Sequence, residues 1–500
     1  MMAPFYDPEY ITRVVDALES GRSLLHIRMD EDMDRYHLTP FRGIPDEDGT
    51  NILDGYRKFT DNGPATTMNL ALHLSSTAKR IIRVHQPRAQ EQEREVNNLR
   101  ELFCLGILEA VDDRRAKLLE RKLQDSIMSQ SLFRGRICQR ALLVKDMFSG
   151  ETYVDVADWD PRNVYWEVGG DGLNWACEKS YKSRSEIMTE YGIDPLGGND
   201  EQFSNDQSKE YAVYDWLDQM FNIVIVEGNV ELKSATPHGM PRCPVIIDLA
   251  ETRPLFSAGR GIERDYDAHY GESFFRSSRE MFDEKNQALS IISVLTGRSI
   301  AQPVAVTSRD GTLTLPEDPW QTGQRISLST DEQQSVVPLE QMQMAQEVGP
   351  FLGVIANNVE HATFPSNLFG SLTQNLSGYA LIQLRRGAEA PLTPHLRSAE
   401  RVIKQILELL VDAYKTGQFG QMQLGGHQQN PQKSYFYEMI PPQALASPGA
   451  IAVQLIPALP QDDASKVNLV QMLREGPGGV PLIDDRKARE LMEFQDVDQI

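Results

Sequence analysis

GESFFRSSREMFDEKNQALSIISVLTG, residues 271–297, carries two apolar files at seven-residue spacing. Phe274, Met281, Ala288 and Leu295 form one, and Phe275, Phe282 and Leu289 run beside them. Seven residues are close to two α-helical turns, so each file keeps to one side of a helix and has to pack against other helices. At ~1.5 Å per residue, such a helix is a rod of roughly 40 Å.

Working outward, Gly259-Arg260-Gly261 separates this helix from what precedes it. On its other side, residues 300–337 change character: Pro303, Pro316 and Pro319 alternate with the β-prone runs Val304–Thr307 and Thr312–Leu315, and Asp310-Gly311 marks a turn. This predicts a small β-rich insertion between two helices. The helical pattern resumes at Pro338, a residue suited to a first helical position, and runs to about His361 with a kink at Gly349-Pro350. Residues 362–377 are uncharged and loop-like, and a helix starts near Gly378, interrupted at Pro391 and Pro394. From His395 to Thr416 the pattern is the cleanest in the chain: Leu396, Ala399, Ile403, Ile406, Leu410 and Ala413 alternate three and four apart, and Gly417 stops the helix. A Gln/Gly-rich loop at 417–432 leads to strand-like runs at Ser434–Met439 and Ile451–Ile456. Two short helices, Lys466–Arg474 and Asp484–Glu493, flank Gly476-Pro477-Gly478-Gly479.

The N-terminal half reads as a mixture. A short helix is expected at 8–20, polar turns at 29–62, a helix at 65–84, and a long helical stretch from about Ala89 to Ser131, where Leu118 and Leu119 extend the apolar stripe. Apolar runs at 137–146 and 151–157 around Phe148-Ser149-Gly150 signal a hairpin. Strand-like runs follow at Val164–Val168, Trp175–Glu178, Tyr211–Trp216, Phe221–Glu227 and Val245–Leu249, with a helical piece, Ser185–Tyr191, closed by Gly192. The fold class expected is α+β.

Composition narrows the function. The chain has 500 residues, 40% of them hydrophobic, enough for several buried cores. No run of ~18 apolar residues suggests a membrane span, and the acidic start, Met1 to Asp16, does not read as a signal peptide. Cys104, Cys138, Cys177 and Cys243 are spaced too widely for a zinc site and read as buried thiols. A net charge of −22 argues against a tight duplex-binding protein, because phosphate neutralisation needs basic residues. It is compatible with a surface past which DNA slides without sticking.

Catalytic signatures are missing from the sequence: there is no P-loop, no G-x-G-x-x-G, no H-E-x-x-H and no G-x-S-x-G. The acidic run Asp30-Glu31-Asp32-Met33-Asp34 offers carboxylates for a divalent cation, but no lysine or histidine accompanies it and it reads as a solvated acidic turn. His361 beside Glu360 reads as a helix-end charge partner. No catalytic residue, metal or cofactor is expected. Long packing helices, a β insertion and an acidic surface point to assembly.

The order of elements from 259 to 500 resembles the portal proteins of tailed bacteriophages. Gly271-Glu272-Ser273 resembles the entry to their stem. Phe364-Pro365 followed by Ser377-Gly378-x-Ala380 resembles the tunnel-loop region, and Leu455-Ile456-Pro457-Ala458-Leu459-Pro460-x-Asp462 the strand before the crown. Asp160-Pro161-x-Asn163-Val164-Tyr165-Trp166, with Tyr191-Gly192, resembles the wing. The likeness implies a wing at 1–260, a first stem helix at 261–299, a clip at 300–337, a second stem helix at 338–361, a tunnel loop at 362–377, the rest of the wing at 378–460 and a short crown at 461–500. It implies a homo-oligomeric ring, a dodecamer, at one capsid vertex of the virion, assembled in the host bacterial cytoplasm. Double-stranded DNA would pass through the ring's channel. The large terminase, a tail adaptor and the major capsid and scaffolding proteins would be its partners, and no membrane is involved. Ser366, Asn367, Ser371, Thr373, Gln374 and Asn375 would line the channel. Asp318, Trp320 and Arg325 would form the clip's docking face, and Phe275, Phe282, Leu289 and Leu295 would pack the stem ring. Another head–tail structural protein, an acidic scaffold of a different kind, and a metal-dependent nuclease or phosphotransferase using Asp30, Asp32 and Asp34 are the alternatives.

Overall fold

The computed structural model describes residues 7–45, 48–51, 53–85, 91–145, 150–170, 172–195, 210–250, 271–300, 304–307, 335–338, 348–364, 390–427, 435–445 and 449–457, with isolated positions elsewhere. In chain order the helices are α1 (Pro8–Gly21), α2 (Ser23–Tyr36), α3 (Gly63–Ser76), α4 (Glu91–Lys117), α5 (Leu123–Arg134), α6 (Arg184–Tyr191), α7 (Arg279–Ile300), α8 (Val348–Ala362) and α9 (Thr393–Lys415). The strands are β1 (Lys79–His85), β2 (Arg136–Lys145), β3 (Thr152–Asp158), β4 (Val164–Gly169), β5 (Gly172–Ser183), β6 (Glu210–Asp218), β7 (Phe221–Val226), β8 (Val230–Pro237), β9 (Val245–Leu249), β10 (Val304–Thr307), β11 (Ser335–Pro338), β12 (Met422–His427), β13 (Tyr435–Ile440) and β14 (Ala450–Ile456). The fold is α+β. Two compact units emerge, one of Met1–Met33, Met68–Arg276 and Asn367–Ile500, the other of Asp34–Thr67 and Ser277–Ser366.

The first unit is built on an antiparallel meander, β4-β5-β6-β7-β8. Its strands alternate as a two-residue period requires. Trp175, Cys177, Tyr214, Trp216, Ile223 and Ile225 point to one face, where Ile11 and Val15 of α1 cover them. Ala176 and Leu217 point to the other face, against Cys138 and Val245 of the three-stranded sheet β3-β2-β9. Trp175 and Trp216 stack with centroids 4.0 Å apart, and the Trp175 indole donates to Glu167 Oε2 at 2.8 Å. Lys179 of β5 clamps α1 through Asp16 (3.1 Å) and Glu19 (2.7 Å).

Helix α9 ties together the other elements of this unit. Its apolar face, including Leu396, Ala399, Ile403, Ile406 and Leu410, is buried. Polar side chains at its borders fix its neighbours: Ser398 Oγ donates to Asp248 of β9 at 2.6 Å, Glu400 Oε1 accepts from Leu455 N of β14 at 2.8 Å, and His395 Nδ1 meets Ser131 Oγ of α5 at 3.1 Å. The Tyr414 hydroxyl donates to Ile440 O (2.6 Å) and accepts from Met422 N (2.8 Å), closing the start of the β12–β13 hairpin. Its ring stacks on Phe103 of α4 at 4.8 Å. Gly106 lets α4 lie against that hairpin, since a Cβ there would stand 2.8 Å from Leu424 Cβ.

Several expectations need correction. The helix expected at 65–84 ends at Ser76, and Ile81, Ile82 and Val84 lie in β1, paired antiparallel with β14. The partner strand is far away in sequence, so local pattern could not reveal it. The stretch 89–131 is two helices. Leu119 adopts φ 61 and closes α4, with Glu120 N bonded to Arg115 O (2.9 Å) and Leu119 N to Ala116 O (3.2 Å). Leu118 and Leu119 are therefore exposed rather than part of the stripe. Within 29–62, α2 continues to Tyr36, and within 417–432, β12 forms. The segment at 230–237, not read as a strand, is β8 at the edge of the meander. Phe274–Ser277 is a single 3-10 turn, so the helix begins at Arg279 and not at Gly271. Pro338 ends β11, where Val336 and Val337 continue a strand against β10. Pro350 lies within the described part of α8, Val348–Ala362, and residues 339–347, where the helix was expected to begin, lie outside the described residues.

Other expectations hold. The capping box of Ser183 with Glu186 starts α6, and Gly192 at φ 69 ends it. β2 and β3 form the hairpin. All four cysteines are buried and unpaired, and burial pushes the Cys104 and Cys243 thiols up to about 12. Among the described residues, no helix is long and apolar enough to cross a membrane. The crown expectation, 461–500, falls almost wholly outside the described residues.

Gly106→Ala improves helix propensity, yet the crowding against Leu424 should dominate and lower stability by about 1–3 kcal/mol in urea unfolding; an unchanged or higher midpoint contradicts the close approach. Burial of His395 lowers its imidazole to about 4 from 6.5. The unfolded chain then takes up a proton that the folded chain refuses, so stability should fall as pH drops from about 6.5 towards 4, by about 3 kcal/mol in all. His395→Gln should remove that part of the slope.

Candidate functional site

The second unit is small and carries the helix pair. Residues 41–45 and 53–61 form a strap whose ends are held to one side of α7 by side chains one turn apart. Ser290 Oγ accepts from Phe59 N at 2.8 Å, Asn286 Oδ1 accepts from Asp61 N at 2.8 Å, and Lys285 Nζ reaches Asp61 Oδ2 at 2.7 Å. Arg35, at the end of α2, grips Asp283 with two nitrogens, at 2.7 and 3.3 Å, the fork geometry that strengthens such pairs. The stretch 34–67, read from sequence with the rest of 1–260, therefore packs with α7. α8 packs against α7, and β10 and β11 pair antiparallel between the two helices in sequence.

Helix α8 is unusual for a surface helix. Its charged or titratable side chains are confined to Glu360 and His361 at its C-terminal end. Ile355 is buried, but Phe351 is 49% and Val354 56% exposed, one turn apart on an open face. Ile291 on α7 is also exposed. An apolar helix face open to solvent is the kind of surface that another molecule covers.

Of the expected stem residues, Phe275 and Phe282 are buried within the chain, while Leu289 and Leu295 are half-buried. Phe275 belongs to the first unit and Phe282 to the second. Phe351, Val354 and Ile291 were not singled out in the sequence. Their apolar character was legible, but not which side of the helix stays uncovered. Asp318, Trp320 and Arg325, and likewise Ser366, Asn367, Ser371, Thr373, Gln374 and Asn375, lie outside the described residues.

The acidic run is not a turn. It lies on α2, whose 100° step per residue sends Asp32 to the side opposite Asp30 and Asp34. Asp30 forms a two-nitrogen pair with Arg162, both contacts at 2.8 Å. Asp32 is buried and accepts from Ser273 Oγ, and Asp34 accepts from Thr39. Among the described residues, no cluster of three or more His, Cys, Asp or Glu is arranged to hold a metal. His361 is exposed at the end of α8.

One half-buried acidic pair has no counterpart among the residues singled out from sequence. Glu178 and Asp215 are cross-strand partners on β5 and β6. Burial first, and then the Asp215 charge, push the Glu178 carboxyl up to about 8. Asp215 is held by Arg140 (3.4 Å) and the Asn222 amide (2.5 Å). The signal was present only as polar residues within strands, and their register could not be read locally.

No family model matches the chain, and no curated protein matches it. Among solved structures, it is similar to a chain of the neck of a native gene transfer agent particle computed with C12 symmetry, at TM-score 0.39 and 11% identity over 87% of this chain and 90% of that one. A chain from the neck of the empty particle, computed with C6 symmetry, gives TM-score 0.39 and 12% identity over the same shares. A chain from the virion of the native particle gives 0.38 and 13%, again over 87% and 90%.

The strap predicts a local effect. Asn286→Ala and Ser290→Ala should each cost about 1 kcal/mol and speed hydrogen exchange at the Asp61 and Phe59 amides respectively, leaving the first unit's amides unchanged. Unaltered exchange at both amides would contradict the strap.

Proposed function

We propose that the chain is a non-enzymatic structural subunit of the head–tail junction of a phage-like particle, and more finely the portal protein. Many copies would form the ring through which DNA is packaged and ejected. The observation that carries this reading is the helix pair α7 and α8 bracketing the antiparallel pair β10–β11, with the apolar face of α8 uncovered. That arrangement follows the stem–clip–stem order on which the sequence resemblance rests. The open face at Phe351 and Val354 supplies what a subunit needs to pack beside its neighbour.

The charge fits the same reading. A ring of chains each carrying −22 repels duplex DNA on average, so DNA could move along it without the counterion-release attraction that basic surfaces provide. The uncharged 366–375 segment would offer only weak, exchangeable hydrogen bonds. With no nucleotide-binding loop in the sequence, the packaging ATPase, a large terminase, would be a separate partner, docking at the clip like the tail adaptor. The capsid and scaffolding proteins would surround the ring, in the virion.

Electron-microscope class averages of the purified chain test this. Rings of cyclic symmetry with an axial opening wide enough for duplex DNA are expected; closed globular dimers would contradict the proposal.

A further inference from the structure

A cavity of about 430 Å³ in the first unit lies between the end of β2 and the edge strand β8. Its lining includes Arg140, Lys145 and Lys233 and contains no carboxylate. In a chain of net charge −22, that concentration of cationic side chains is against the trend. Arg140 is matched by Asp155 (2.9 Å) and Asp215 (3.4 Å) behind the wall. Lys145 and Lys233 take part in no ion pair among the described residues; Lys233 donates only to the neutral Asn222 Oδ1, at 2.6 Å.

The main chain of β2 is open on the same side. Arg136 to Arg140 pair with β9, and Ala141 N donates to Pro244 O at 2.8 Å. Pro244 has no N–H to return, and β9 does not extend past it. Alternate residues of a strand direct their N–H and C=O groups to the same side. Leu143 and Lys145 therefore face where Ala141 faces, beyond the end of β9 and towards the cavity. Across the cavity, Pro237 ends β8 and again lacks a donor, so the ladder on offer is that of β2. Phe419 completes the wall with an apolar surface.

We propose that this cleft binds an extended acidic peptide segment of a partner protein, which adds to β2 as a strand alongside Leu143 and Lys145 while its carboxylates meet Lys145 and Lys233. The open ladder selects a main chain with both donors and acceptors, and the two lysines select its charge. The inference is independent of the portal reading, since it uses only the first unit.

The test uses the full-length protein and a fluorescein-labelled, acetylated hexapeptide of alternating valine and glutamate, followed by anisotropy. Saturable binding is expected, weakened at least about tenfold by Lys145→Glu or Lys233→Glu, both exposed substitutions, and accompanied by slowed exchange at the Leu143 and Lys145 amides. A peptide with the same sequence but N-methylated at alternate residues should fail to bind. Equal binding of the methylated peptide, or of a valine–lysine peptide, would overturn the proposal. So would binding of an oligonucleotide at the same lysines with the glutamate peptide excluded, which would make the cleft a phosphate site. No binding by the acidic peptide would also overturn it.

Discussion

Burial of α9 is the constraint on which the first unit depends. A helix whose apolar face is fully covered must have partners on several sides, and this one finds them in β2, β9, β14, α5 and the hairpin β12–β13. Hydrophobic burial provides the driving force, but it is not directional. Direction comes from the polar groups at the edges of the face: Ser398 and Arg401 on Asp248, Glu400 on the Leu455 amide, His395 on Ser131, and the Tyr414 hydroxyl across the hairpin. All but the exposed Arg401 are buried or half-buried, so leaving their partners unmade would cost more than the bond contributes. The late strands of the chain are thereby set against elements formed by its first half, as β14 is against β1.

What was legible from sequence follows the range of the interactions involved. The 3.6-residue period of 395–416 and the apolar run of Tyr211–Trp216 are local, and both elements stand where the pattern put them. The hairpin at β2–β3 and the stop at Gly192 were equally local. Three misreadings have a common cause. Ile81 and Ile82 sit next to a helix and look like its continuation, until a strand more than 350 residues away claims them. Leu118 and Leu119 match a helical stripe, but Leu119 takes up a left-handed conformation that ends the helix. The seven-residue files at 274–295 are real in sequence, yet Phe274 and Phe275 fall on a 3-10 turn outside the helix.

The surfaces were harder to read than the core. Periodicity shows which residues are apolar, and not which apolar face the rest of the chain leaves bare. Phe351 and Val354 are ordinary in sequence and become notable because they stay exposed on a helix that packs against α7 and buries Ile355. The strap of 41–45 and 53–61 works against expectation in a similar way. A segment read as polar turns supplies main-chain donors to Asn286 and Ser290, and so fixes the side of α7 that cannot meet another molecule. Conversely, the cleft beside β2 arises because Pro244 ends a ladder, a stereochemical fact that becomes visible only once β9 is seen to lie beside β2.

Association of copies through the open face of α8, as proposed, can be separated from ionic association by sedimentation velocity at low salt and at about 1 M salt. Apolar contact predicts one large, discrete species whose size and population survive, or increase, at high salt, because screening weakens the repulsion between chains of charge −22 without weakening hydrophobic burial. A chain that stays monomeric at every concentration, or an assembly that dissolves as salt rises, would contradict the account.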